Sequence, residues 1–135
     1  MTEVSPLSFS DLQDIAVRAA ATPPCADCAP LLRPGWEALS TSADVDRLQR
    51  VGSLRPPDDG TADEPTLTEH HPAGTSYWSP DAPIAPRFFP ANRCDVWVCS
   101  RCSRAFLRYT EYGGYYHEER IRPLRPEVLV DAAAG

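Results

Sequence analysis

The sequence contains no lysine; all 13 of its basic residues are arginine. It has no apolar run of about 18 residues, so no membrane-crossing helix is expected. The opening segment, MTEVSPLSFSDLQDIAVRAA, places an acid early and has no apolar stretch of signal-peptide length. It does not read as a secretory signal, and a cytoplasmic location is expected. No glycine-rich phosphate loop is present, nor a His-Glu-x-x-His zinc-protease motif, nor the His-x-Glu with Pro-Cys-x-x-Cys of deaminases. No base, orienting group and pocket assemble into a catalytic pattern, and a non-enzymatic protein is expected.

Proline is abundant, at 15 of 135 residues, about twice ordinary usage. Few long elements survive that density. The composition, 42% hydrophobic and 24% charged, is that of a folded chain, and the length fits one domain spanning 1–135. A small core with many loops calls for a staple such as a metal or disulfides. The net charge of −6 is unevenly spread. Residues 1–85 hold 13 acids against 5 arginines, whereas residues 86–126 hold 8 arginines against 4 acids. An acidic chain with a basic C-terminal module disfavours free nucleic acid globally without removing local contact.

Residues 8–21 predict a helix. Ser10 serves as N-cap with Gln13 three positions on, Leu12, Ile15, Ala16, Ala19 and Ala20 share one face, and Pro23 and Pro24 stop it. Residues 43–51 suit a short helix capped by Ser42 with Val45, Leu48 and Val51 inward, although QRVGSL also suits a strand. Residues 55–93 read as an irregular proline-rich loop. Its second half carries Tyr77, Trp78, Ile84, Phe88 and Phe89, and is expected to wrap the core or line a groove. Residues 94–99 predict a strand. A hairpin follows, in which a two-residue turn at Gly113-Gly114 places Tyr112 opposite Tyr115, Arg108 opposite Glu119 and Phe106 opposite Ile121.

Two Cys-x-x-Cys pairs, Cys25/Cys28 and Cys99/Cys102, carry the strongest chemical signal. A two-residue spacer points both sulfurs of a turn at one ion, and two such turns supply the four thiolates that suit Zn²⁺. The competing readings are a redox pair or unrelated buried thiols, and iron also fits four sulfurs. The second pair sits between a strand and a hairpin. In that arrangement residues 25–28 and 94–122 resemble the zinc-ribbon and rubredoxin-like group. The resemblance implies two knuckles clamping a structural zinc beneath a three-stranded antiparallel sheet, an α+β fold with the N-terminal helix added and Pro30 to Arg93 inserted as a long proline-rich segment. It implies a closed site with no position for a catalytic water.

Cys94 alternates with Val96 and Val98, away from Cys99, and reads as a buried small hydrophobe. A second site from His70, His71 and Glu69 is imaginable; a solvated loop is the plainer alternative, and His117 falls in the exposed part of the hairpin. Tyr109, Tyr112, Tyr115 and Tyr116 surround the Gly-Gly tip with Arg108 beside them, and Trp78 lies in the aromatic loop. These residues suit binding of another protein, as an adaptor or as an inhibitor or immunity-type protein of a basic partner. The second choice is nucleic acid, through base stacking and phosphate contact by the hairpin's arginines and tyrosines. No membrane partner is expected.

Overall fold

The computed structural model describes residues 6–40, 45–55, 66–112 and 115–132. Its elements in chain order are α1 (Phe9–Ala20), β1 (Glu37–Ala38), β2 (Leu48–Ser53), β3 (Asp95–Cys99), β4 (Ala105–Tyr112) and β5 (His117–Pro123). The strands form one antiparallel sheet in the order β1-β5-β4-β3-β2. The chain is α+β as expected, but the sheet has five strands where three were expected. The two additional strands flank the expected trio, one on each edge.

α1 is capped two residues earlier than the sequence suggests. Ser8, not Ser10, is the N-cap, and its hydroxyl accepts from the Asp11 N–H (3.0 Å) while Asp11 accepts from the Ser8 N–H (3.1 Å). The preceding residue holds this start: the Leu7 N–H donates to the Ser53 carbonyl (3.1 Å), which ties the chain to β2, and Ser8 follows as an extended N-cap. Leu12, Ala16 and Ala19 are buried, and Ile15 packs beside them. Ala20 is exposed.

Residues 48–53 are a strand, not the end of a short helix. Val45, Leu48 and Val51 imitate a helical stripe at three-residue spacing. The structure buries Leu48 and leaves Val51 exposed. Pairing along the whole of β3 outweighs one marginal turn of helix. A bulge between Arg50 and Gly52 bends β2. A Cβ on Gly52 would lie 2.4 Å from the Leu7 Cγ, so only glycine lets Leu7 pack there. Ser42, the expected cap of that helix, lies outside the described residues.

The sheet is packed on both faces. One face carries Cys94, Val96, Ala105, Leu107 and Tyr109, and meets Leu12, Ala16 and Ala19 of α1 with Trp36 and Ile84. The other carries Cys99, Phe106 and Ile121, with Trp97 packed beside them. The segment 66–93 wraps over the first face. The Ile84 N–H donates to the Val128 carbonyl (2.8 Å), and Trp36 stacks on Tyr77 at 5.9 Å. The Tyr77 and Tyr109 hydroxyls hydrogen-bond each other, and Arg120 Nη1 donates to Tyr77 (3.2 Å).

Arg122 is the main anchor of this loop. It is 1% exposed. Its Nε donates to the Pro34 carbonyl (3.0 Å) and its Nη2 to the Ala82 carbonyl (2.6 Å). Burial, and then Arg125 beside it, push its pKa down to about 10, which leaves it charged at neutral pH. The sequence counts Arg122 among the hairpin arginines that flank the tyrosines and suit phosphate contact; the structure buries it instead.

The hairpin register differs from the expected one by two residues. Tyr112 lies opposite His117, Thr110 opposite Glu119, Arg108 opposite Ile121 and Phe106 opposite Pro123. The strands are therefore joined by the four residues 113–116 and not by Gly113-Gly114 alone; those two glycines lie outside the described residues. The physical reason lies at the base of the hairpin. Buried Arg122 and the bond from the Leu124 N–H to the Ala105 carbonyl (2.9 Å) fix β5, and they outrank the turn preference at the tip. Arg108 still reaches Glu119, now diagonally at 3.9 Å.

Candidate metal centre

The first knuckle is a tight turn. The Cys28 and Ala29 N–H groups both donate to the Cys25 carbonyl, at 3.1 and 3.0 Å. The second closes β3 into β4. The Ser103 N–H donates to the Cys99 carbonyl (3.0 Å), the Arg101 N–H to the Cys99 sulfur (3.4 Å), and Ser103 takes a positive φ of 63° to complete the turn. The four cysteine sulfurs lie within 4.8 Å of one another. Cys25 and Cys99 are 3.8 Å apart. A disulfide requires about 2.05 Å. A tetrahedron of sulfurs at about 2.3 Å from a zinc has edges of about 3.8 Å. The pairs therefore fit a metal site, as the resemblance implies.

The surroundings suit the same purpose. Cys28, Cys99 and Cys102 are buried and Cys25 is partly exposed. Leu48, Phe106 and Ile121 pack around them, with Leu31, Leu32 and Leu39 at the margin. Burial raises the Cys28 thiol, and the neighbouring thiols raise it further. At Cys25 burial also acts upward, but the N–H and thiol of Cys28 with the N–H of Asp27 outweigh it and bring the pKa down to about 7. One site thus holds thiols pushed in opposite directions. Cys25, Cys28, Cys99 and Cys102 would together hold a divalent cation, which would be bound through thiolates. Four thiolate ligands would close the tetrahedron.

Arg47 ties the two knuckles together. Its side chain pairs with Asp27 in the first (2.5 Å), and its carbonyl accepts from the Ser100 N–H in the second (2.9 Å). Asp27 is recognisable from its place inside the first Cys-x-x-Cys. Arg47 carries no such signal, since only the fold brings it there.

Cys94 stands apart on the opposite face. It is fully buried, its thiol donates to the Pro90 carbonyl (3.2 Å), and burial raises its pKa. The histidines do not form a second cluster. His70 packs on Phe88 at 4.8 Å, while His71 bonds Thr75 (2.6 Å) and Glu69 (2.7 Å). His117 sits 6.2 Å from the Tyr112 ring.

The structure separates the aromatic residues into two groups. Tyr112, Tyr115 and Tyr116 are exposed at the hairpin tip. Trp78 is 54% exposed and lies over Arg120, whose guanidinium carbon is 5.0 Å from the ring. Tyr109 is interior, edge-on to Trp36 at 5.2 Å, and offers no open surface. Arg108 is turned inward over Trp97, 4.4 Å from its ring. Among the described residues no helix is long and apolar enough to cross a membrane. No protein-family model matches this sequence, and no curated protein or solved structure matches it either.

Proposed function

We propose that this chain is a small protein-interaction module whose fold is stapled by zinc at Cys25, Cys28, Cys99 and Cys102. The convergence of the four sulfurs supports the staple. A surface built from rigid aromatics supports the interaction: Tyr112, Tyr115 and Tyr116 at the tip, and Trp78 backed by Arg120. Tyrosine and tryptophan give large contact area at low entropic cost. The metal sits at the other end of the hairpin, close to Phe106 and Ile121, so its task is to hold the strands and not to meet a ligand. An adaptor, or an inhibitor of a basic partner, fits the net charge of −6. The zinc is structural, and no catalysis is assigned to it.

Photo-crosslinking from position 115 of the zinc-loaded protein tests this reading. A discrete protein adduct that Tyr112→Ala with Tyr116→Ala removes, at unchanged thermal stability, supports it. Loss of folding in the same double variant would assign those tyrosines to structure. Nucleic acid is the second reading, favoured by the exposed rings of Tyr112, Tyr115 and Tyr116, on which bases could stack. Affinity for an oligonucleotide that falls linearly in log–log with salt would select it.

A further inference from the structure

β4 is longer than its neighbour. β3 ends at Asp95, opposite Arg108, and β4 continues through Tyr109–Tyr112 with only β5 beside it. Two hydrogen bonds show which way its backbone points. The Leu124 N–H donates to the Ala105 carbonyl, and the Cys99 N–H donates to the Arg104 carbonyl, both at 2.9 Å. Backbone polar groups alternate along a strand. Odd-numbered residues of β4 therefore face β5, and even-numbered ones face β3. Beyond β3, Thr110 and Tyr112 present their N–H and C=O groups to no strand among the described residues. The chain that would have covered them turns away: the Cys94 N–H bonds back to the Ala91 carbonyl (3.0 Å), within a short 3-10 turn at Ala91–Arg93.

This departure leaves a groove of about 560 Å³. Its walls carry Arg50, Arg55, Arg93 and Arg108 against Asp95, Glu111 and Glu119. The acids are already engaged. Arg50 (3.3 Å) and Arg55 (3.0 Å) share Asp95; Glu119 meets Arg108 and the Thr110 hydroxyl; Glu111 leans on Arg120 at 3.9 Å, outside the groove. Two guanidinium groups on one carboxylate leave positive charge at the mouth. Leu67 and Tyr112, 70% and 78% exposed, add apolar surface.

We propose that the free edge of β4 at Thr110 and Tyr112 takes an extended acidic peptide as an added strand, in line with β3. The open edge, four residues or about 13 Å long, supplies main-chain hydrogen bonds, and the arginines select acidic side chains. The proposal rests on the protein-interaction reading in its adaptor form, not on inhibition of a basic partner, and names the chemistry of the bound segment. Edge strands left open in this way are ordinarily blunted by charge or covered. Here the charge is of one excess sign, which repels basic segments and admits acidic ones.

The test uses the full zinc-loaded chain and a capped seven-residue peptide of alternating glutamate and threonine. Amide chemical shifts are followed by NMR. Saturable shifts at Thr110 and Tyr112, weakening with salt, are expected. Methylating alternate peptide nitrogens should weaken binding about tenfold, as loss of one to two edge hydrogen bonds requires. Thr110→Pro, which removes an edge N–H, should do the same. If Thr110→Pro fails to fold, the methylated peptide alone decides. Equal binding of the methylated peptide, equal binding of a lysine-for-glutamate peptide, shifts centred elsewhere, displacement by oligothymidylate, or no saturation would each overturn the proposal. A protein partner crosslinked at Tyr115 whose binding ignores Thr110→Pro would also overturn it, while leaving the interaction reading intact.

Discussion

Replacing Arg122 with methionine keeps the volume and removes the fork. The native guanidinium is 1% exposed and satisfies the carbonyls of Pro34 and Ala82, with Pro80 at 3.4 Å as a weaker third acceptor. Pro80 is also served by Arg125 (2.6 Å), so Arg122→Met leaves two carbonyls without a donor. Each unsatisfied buried acceptor costs about 1–3 kcal/mol. Removing the desolvation cost of the buried cation returns part of that. The net expectation is a loss of about 3 kcal/mol, or about 10 °C in Tm for a chain of this size. Calorimetry of the zinc-loaded protein measures the shift, and limited proteolysis locates it. Cleavage should accelerate within 76–85, the stretch that Arg122 pins. Arg122→Lys should fall between, since one ammonium cannot reach both carbonyls in the same geometry. A Tm within about 2 °C of the parent for Arg122→Met, with unchanged proteolysis, would refute the reasoning and show that burial of this cation costs as much as its bonds return.

Gly52→Ala should destabilise by about 1–3 kcal/mol, because the new methyl would overlap Leu7; in Leu7→Ala the same change should cost far less, and a melt of the double variant checks it. Arg47→Ala should leave the four thiols in place but weaken zinc about tenfold in a chelator competition, as removal of a supporting contact to ligands commonly does. Acid should release the metal, since bound thiolates must be deprotonated; a zinc affinity that holds constant from pH 8 to pH 5 would contradict a four-thiolate site.

Much of the site was legible because its signal is local. Each Cys-x-x-Cys carries its own turn, and strand alternation separates Cys94 from Cys99 without any tertiary information. α1 was legible for the same reason, through its three-and-four spacing and the prolines behind it. The misreadings occurred where a distant contact outranked a local preference. Val45, Leu48 and Val51 imitate a helical stripe, and only pairing with β3 makes Leu48–Ser53 a strand. Gly113-Gly114 favours a two-residue turn, yet the anchoring of Arg122, eight residues away, sets the register. The cap of α1 moved to Ser8 because Leu7 is held by Ser53, which the helix sequence does not contain. Arg47 and the free edge at Thr110 were invisible, since each depends on which strands stop where.

The central claim is the metal staple, and elemental analysis with thiol counting on freshly purified protein tests it most directly. The account predicts one zinc per chain, and five thiols, buried Cys94 among them, that become reactive when chelation removes the metal and with it cooperative melting. Protein that contains no metal, melts cooperatively and shows freely reactive thiols at Cys25 and Cys99 would contradict it.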